Sequence, residues 1–177
     1  MTDSVRDEAP RRGASRLGRA AMGERLGGYI YGTIVVLSVV VVGARAYPHE
    51  SAHIAGLVAA TTFAFWLAHV YAHALAHSVA RDQHLSVAEL LYIARREASI
   101  MEAAVPPVAA LLLGELGVIS DQVAVWTAFV LGLVVLAAQG VTVARVERLG
   151  RLGTLAVVAG NVSLGVLLVG LKLLVSH

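Results

Sequence analysis

The sequence predicts an all-α integral membrane protein, built as a bundle of five transmembrane helices, and three observations support this. Of its 177 residues, 58% are hydrophobic and only 15% are charged, with a mean hydropathy of +0.75, whereas soluble domains carry about 25% charged residues. The apolar residues form long runs, close to the roughly 20 helical residues that a bilayer core requires. The basic residues fall almost entirely into three segments that five spans place on one side of the membrane.

Five apolar segments are predicted to form a single transmembrane domain over residues 27–177. The valine-rich runs would favour strands in water, but lipid offers the backbone no hydrogen-bond partners, so each segment must be helical. The third segment is the weakest, because Glu102 and a Pro-Pro pair interrupt it. Ser86 and Glu89 have the spacing of a capping box, which predicts a helix over 87–97 that leads into the third span. The predicted spans cover about 27–46, 53–79, 98–118, 123–146 and 152–175.

The distribution of charge predicts the orientation. Residues 1–26 are expected to be a basic cytoplasmic tail, largely disordered, because they hold six arginines and little apolar periodicity. Five spans put this tail and the loops 80–97 and 145–151 on one side, with twelve of the fourteen basic residues, and leave Arg45 and Lys172 on the other. By the positive-inside rule the N-terminus is cytoplasmic and the C-terminus outside. The short loops and the Ala-, Val- and Arg-rich composition are typical of a multi-pass protein of a bacterial inner (plasma) membrane.

The composition also excludes several classes of function. The chain has no cysteine, so disulfides, thiolate catalysis and cysteine-based metal sites are excluded. The net charge of +2 follows the predicted topology and forms no nucleic-acid patch. The expected surroundings are therefore the lipid bilayer and other membrane helices, without nucleic acid.

Three histidines on the second span are the main candidate for chemistry. His69, His73 and His77 lie at positions i, i+4 and i+8, so they form a stripe along one helix face. An ionisable side chain inside a membrane is costly and is a functional hypothesis by default. Because imidazole changes its charge near neutral pH, a line of histidines can relay protons. The alternative is that neutral histidines hydrogen-bond across helices as packing residues.

Other polar residues are expected at the same cytoplasmic depth. Because the third span runs antiparallel to the second, we predict that the side chains of His73 and Glu102 approach within direct or one-water reach. Depth alone does not establish contact, since the azimuth of each helix cannot be read from one sequence. Besides the histidine stripe, the candidate ion-pathway or ligand residues are Glu97, Glu102, Gln139, Asn161, Tyr29 and Tyr31.

A divalent metal ion is the candidate cofactor or cargo. Two histidines four residues apart on a helix can hold one metal ion, with a carboxylate from a neighbouring helix as third ligand. His73, His77 and Glu102 meet this requirement and are the candidate metal ligands. Haem is not expected, because the other spans contain no histidine and only Met101 would remain as a second axial ligand.

Proline and small residues predict local features of helix packing. Pro106 and Pro107 remove two backbone donors, so they should kink the third span and free the carbonyls of Glu102 and Ala103. The break is interpreted either as a broken helix that lines an ion site or as a packing kink. Two pairs of small residues are expected to allow close helix contact, namely Gly28 with Gly32 and Ala156 with Gly160.

The outer end of the second span carries a second group of polar residues. His49 and His53 lie beside Tyr47 and Glu50. They are interpreted either as an outer metal or pH-sensing site or as solvated loop residues. Tyr47 and Trp126 have the positions expected of interfacial anchors.

The leading functional hypothesis is a small transport protein or channel that moves protons or a divalent metal ion past an intramembrane His/Glu cluster. A homo-oligomer is expected, because five helices enclose little volume for a path within one protomer. One alternative is a membrane-embedded His/Glu metalloenzyme acting on a lipid-like substrate. Enzymatic activity is the weaker hypothesis, because such enzymes usually need more histidine and aspartate ligands than this chain supplies. The other alternative is a non-catalytic accessory subunit whose polar stripe docks a partner helix.

Overall fold

The structure is a computed structural model that describes residues 4–81 and 86–175. All regular elements within these ranges are α-helices, as the sequence predicts. In chain order they are α1 (Ser4–Ala46), α2 (Ser51–Arg81), α3 (Val87–Arg96), α4 (Ser99–Glu102), α5 (Val105–Glu115), α6 (Asp121–Val146) and α7 (Arg151–Val175).

Three helices are long and apolar enough to cross a membrane. They are Met22–Ala46 within α1, Ser51–Val79 within α2, and the whole of α6. The helices over Val87–Glu102 and Val105–Glu115 are a fourth candidate if their two bent halves form one span, whereas the described apolar stretch of α7, Arg151–Leu167, is shorter. The described residues therefore contain three or four candidate spans by length and composition, and the count of five stays a prediction.

The outside of the bundle carries large apolar side chains. Leu67 on α2, Val130 on α6 and Leu167 on α7 are each more than half exposed. Water-soluble proteins seldom expose apolar residues over contiguous helix faces, whereas lipid-facing helices do. The apolar surface agrees with the candidate spans and indicates a membrane protein.

An apolar core closes the centre of the bundle between α1, α2 and α5. Its largest side chains are at most 1% exposed, and close packing of this kind holds helices together where lipid removes the hydrophobic driving force. The residues are Val36, Val40, Ile54, Val58 and Leu111.

The two ends of the bundle differ in character. At one end, here named the arginine-rich end, residues near Arg25 of α1 meet α3 and α4. At the opposite end, here named the Ser51 end, Gly114 and Asp121 lie against Ser51 at the start of α2. The apolar core lies on the Ser51 side of the midpoint.

The capping box at the start of α3 is confirmed. The hydroxyl of Ser86 accepts a hydrogen bond from the backbone N–H of Glu89 at 3.3 Å, and the Glu89 carboxylate accepts from the backbone N–H of Ser86 at 2.9 Å. The indole N–H of Trp66 donates to the carbonyl of Ala94 at 3.1 Å, which fastens α3 to α2.

The third predicted span is broken, as the proline pair predicts. The axes before and after the break differ by 52°. Pro106 and Pro107 lie in the first turn of α5, where proline needs no partner within that helix. In a continuous helix the N–H of residue 106 would instead have bonded to the carbonyl of Glu102. The segment 98–118 is therefore formed by the short helix α4 and by α5, with a bend between them.

One of the two small-residue pairs makes the expected close contact. A Cβ atom added to Gly32 would lie 2.8 Å from the carbonyl oxygen of Ile100, and one added to Gly28 would meet the side chain of Ser99 at 2.5 Å. These glycines let α4 touch the backbone of α1. The other prediction is wrong at Gly160, where an added Cβ would meet nothing within 4 Å.

The start of α1 differs from the predicted tail. The helix begins at Ser4, so residues 4–26, expected to be largely disordered, continue the first span as helix. The segment is rich in Ala, Arg, Leu and Glu, which are strong helix formers. Adding residues to an existing helix avoids the cost of nucleation, so the neighbouring span favours this extension.

Candidate functional site

Two ion pairs join α1 to the α3–α4 region at the arginine-rich end. One guanidinium nitrogen of Arg25 contacts both carboxylate oxygens of Glu102, at 3.1 and 3.0 Å, and Glu24 pairs with Arg96. The side chains of Arg25 and Glu102 are 65% and 43% exposed, and exposed pairs contribute little stability. These two ion pairs instead fix the position of the broken third span against α1.

The freed carbonyl at the helix break has a partner. Pro106 has no N–H to donate to the carbonyl of Glu102, and the hydroxyl of Tyr29 donates to that oxygen instead, at 3.3 Å. This confirms the prediction that the proline pair frees a carbonyl at Glu102. Tyr29 therefore supports the broken backbone.

The histidine stripe of α2 has a defined ring geometry. Nδ1 of His69 lies 2.9 Å from the carbonyl oxygen of Phe65, and Nδ1 of His73 lies 3.1 Å from the carbonyl oxygen of His69. A carbonyl oxygen only accepts, so in both rings Nδ1 carries the proton. In the neutral form Nε2 is then the nitrogen that can take up a proton. The ring of Tyr31 lies beside His69, with 5.1 Å between centroids.

His73 faces the carboxylate of Glu97. The distance from Nδ1 to Oε1 is 3.6 Å, an ion-pair separation that is too long for a hydrogen bond. The Glu97 side chain is only 12% exposed, whereas that of His73 is 50% exposed. The Glu97 carboxylate therefore lies beside the Nδ1 edge of the His73 ring, on the less exposed side of the pair.

A cavity of about 260 Å³ opens between α2 and α3 at this pair, and we name it the inner cavity. It is large enough for several water molecules. In the wall, Nε of Arg96 is buried and makes no hydrogen bond within the described residues. The lining residues are His73, His77, Glu89, Tyr92, Ile93, Arg96 and Glu97.

Glu102 belongs to a different cavity. It lines a space of about 200 Å³ with Arg25, Tyr29 and Gln139, apart from His73 and His77. Among the described residues no group of three or more His, Asp or Glu side chains could hold a metal ion. The arrangement gives His73 a carboxylate neighbour in Glu97, and Glu102 pairs with Arg25. The approach of His73 to Glu102 stays a prediction.

The remaining candidate residues are spread over the bundle. Tyr31 contacts the stripe at His69. The side-chain amide of Asn161 on α7 points at the carbonyl of Leu136 on α6 at 3.5 Å, so it serves contact between those two helices. Gln139 lines the Glu102 cavity without a contact to the stripe among the described interactions.

Sequence reasoning missed the partners supplied by α1. Glu24 and Arg25 fall in the segment assigned to a disordered tail, yet they pair with Arg96 and Glu102. The available signal was their position directly before the first apolar run, where side chains of a continuing helix reach the same depth as the third span.

Comparison with known proteins finds no matching protein family, no matching curated protein and no matching solved structure.

Proposed function

We propose that the chain is a small multi-pass membrane transport protein that moves protons along the histidine stripe of α2. In this proposal His69, His73 and His77 take up and release protons in sequence, and Glu97 holds a proton at His73. The inner cavity connects His73 and His77 to water. The path then continues from His73 to His69.

The observation that carries the proposal is the ring geometry of the stripe. The Nδ1 atoms of His69 and His73 are held at carbonyls of the preceding turn, at 2.9 and 3.1 Å. Each neutral ring therefore offers Nε2 as a proton acceptor, on the same helix face as the next ring. A proton relay needs such a repeated arrangement of titratable groups.

The path is proposed to run between protomers. The described core between α1, α2 and α5 is packed with side chains at most 1% exposed, such as Val40 and Val58, which disfavours a water path through it. The side chain of His73 is half exposed at the side of the bundle, and an ionisable group facing lipid is costly. A homo-oligomer with its stripes at the interface removes this cost and provides a path.

Protons suit the site better than a divalent metal ion. Metal transport needs several ligands around one position, and the described residues supply no group of three. The same argument disfavours the metalloenzyme, since His73, His77 and Glu102 do not line one cavity. Proton transfer requires only single acceptors in succession, which the stripe offers.

A non-catalytic accessory subunit is the second candidate. The half-exposed face of α2 at His73 favours it, because a partner helix with polar side chains would cover that face as well as a second copy would. In this case the purified protein would carry no protons. Its histidine stripe would be covered only when the partner protein is bound.

The proposed orientation in the membrane follows from the positions of the arginines. Five spans, with α4–α5 and α7 as the third and fifth, put the arginine-rich end on the cytoplasmic side by the positive-inside rule. The proposed location is a bacterial inner membrane. The inner cavity then opens toward the cytoplasm.

Proton flux into liposomes tests the proposal. The purified protein is reconstituted in vesicles with a pH-sensitive dye, and a potassium gradient with valinomycin drives proton entry. We expect His69→Gln/His73→Gln to lower the protein-dependent flux by at least about tenfold, because Gln hydrogen-bonds but does not titrate.

The control is His53→Gln, the same change on the same helix outside the stripe, and it should leave the flux unchanged. Equal flux from the double variant and the wild type would contradict the proposal. A wild-type protein without flux in vesicles would favour the accessory subunit.

A further inference from the structure

A second and larger cavity lies at the Ser51 end, far from the histidine stripe. Its volume is about 550 Å³, within the range of small-molecule sites. The end of α1, the turn to α2 and the start of α6 form its walls. The lining residues are Ala44, Tyr47, Pro48, His49, Ile54, Asp121, Gln122, Val125 and Trp126.

The lining combines one carboxylate with apolar and aromatic side chains. Among the described lining residues Asp121 is acidic, and none is lysine or arginine. The hydroxyl of Ser51 donates to Oδ1 of Asp121 at 2.5 Å, and Ser51 itself is completely buried. A fixed hydroxyl of this kind orients the carboxylate and leaves its other oxygen as an acceptor.

Two aromatic rings stand in the walls, and each is held by a neighbour. Tyr47 stacks on His53 with 4.0 Å between centroids, and Trp126 meets the edge of Phe129 at 6.3 Å. The faces of tyrosine and tryptophan attract organic cations. Ala44 and Val125 add apolar surface that a simple metal ion would not use.

The backbone at the cavity is strained. His49 has φ +68°, a left-handed conformation that is uncommon for residues other than glycine. Such strain is concentrated at ligand clamps and similar functional positions. It holds the turn between α1 and α2 in the shape that forms one wall.

We propose that this cavity binds an organic ammonium group carried on an apolar body. Asp121 receives the positive charge, Tyr47 and Trp126 contact the ammonium substituents, and the aliphatic wall contacts the apolar body. Two sources share this chemistry, a phospholipid headgroup of the choline or ethanolamine type and a free hydrophobic amine. The site is separate from the proton path, which lies at the other end of the bundle.

Tryptophan fluorescence tests the site. The chain has two tryptophans, so Trp66→Phe leaves Trp126 as the only indole reporter. The variant is placed in nanodiscs of phosphatidylglycerol, which carries no ammonium group, and titrated with phenyltrimethylammonium. We expect a saturable change in Trp126 emission, and no saturable change with tert-butylbenzene, the neutral molecule of the same shape.

The carboxylate is tested by substitution. In the Trp66→Phe background, Asp121→Asn should weaken phenyltrimethylammonium binding by at least about tenfold. The control Glu115→Gln changes an exposed carboxylate near the same end that does not line the cavity, and it should bind as before. Circular dichroism checks that both variants are folded. If Asp121→Asn does not fold, the comparison of phenyltrimethylammonium with tert-butylbenzene still shows whether binding requires the positive charge.

The lipid composition of the nanodiscs distinguishes a phospholipid headgroup from a free amine as the ligand. If nanodiscs containing phosphatidylcholine weaken phenyltrimethylammonium binding in proportion to their choline content, a lipid headgroup occupies the site. If choline lipid has no effect while the soluble cation binds, a free amine is the ligand. No saturable binding, equal response to tert-butylbenzene, or unchanged affinity in a folded Asp121→Asn variant would each overturn the proposal.

Discussion

Two histidine–glutamate pairs in this molecule differ mainly in burial. His73 lies 3.6 Å from Glu97, and His53 lies 3.7 Å from Glu50. The Glu97 side chain is 12% exposed and the Glu50 side chain 59% exposed. Solvent screens the outer pair, whereas the inner pair lies beside the inner cavity between α2 and α3. The Glu97 carboxylate is therefore the less screened of the two.

The comparison predicts different outcomes for the same substitution. Glu97→Gln keeps the shape of the side chain and removes the carboxylate beside His73 on the proposed proton path, so we expect proton flux in vesicles to fall by at least about tenfold. Glu50→Gln should leave the flux within experimental error of the wild type. If both variants conduct equally well, Glu97 has no part in proton movement.

The residue types of the site were predictable, but their pairing was not. Periodicity puts the histidines on one face, and hydropathy puts two glutamates at a similar depth. Glu97 and Glu102 are five residues apart, so on a helix they point in directions about 140° apart. Which of them meets His73 depends on how α3 and α4 are rotated against α2, and a single sequence holds no information on that rotation.

At the scale of the element, the break in the third span depends on the hydrogen bond from Tyr29 to the Glu102 carbonyl. Tyr29→Phe should lower the free energy of unfolding by about 1–2 kcal/mol, because a carbonyl in the bundle loses its donor. Pro106→Ala restores an N–H that can serve the same carbonyl, so the effect of Tyr29→Phe should shrink in that background. Unfolding of all four proteins in one detergent measures this coupling, and purely additive effects would contradict the role of Tyr29.

The close contact between α1 and α4 predicts that a larger residue at Gly32 destabilises the protein. A methyl group at Gly32 would meet backbone atoms of Ile100 at 2.8 and 3.0 Å, which cannot move without shifting α4. We expect Gly32→Ala to destabilise the protein by about 1–3 kcal/mol. Gly56→Ala on α2 meets nothing within 4 Å and should be neutral or stabilising. Thermal unfolding of the two variants under identical conditions gives the comparison, and equal stability would show that the helices are not in close contact.

The elements that sequence reasoning placed correctly depend on local signals. The capping box needs only Ser86 and Glu89, and the kink needs only the two prolines, so neither depends on the rest of the fold. A charged segment without periodicity is typical of a tail, whereas α1 begins at Ser4, because a neighbouring span can extend helix into such a segment. Gly160 was misjudged because the spacing of small residues does not show which helix face meets a neighbour.

In the whole molecule, a proton path between protomers requires association through the stripe face of α2. We expect native mass spectrometry of the protein released from nanodiscs to show a homo-oligomer. Ala72→Phe places a bulky ring on an exposed position beside His73 and should shift the population toward the monomer. Val130→Phe, on an exposed face of α6, should leave the oligomer intact. A wild-type monomer would exclude a path between protomers.

If the protein carries protons, the current that it passes through a planar bilayer has a reversal potential that depends on pH. With a pH difference across the bilayer and all other ions symmetric, a proton path predicts a reversal potential that moves by about 59 mV per pH unit. The His69→Gln/His73→Gln variant should show no such current. A wild-type protein whose current is absent, or whose reversal potential does not change with the pH difference, would contradict the account.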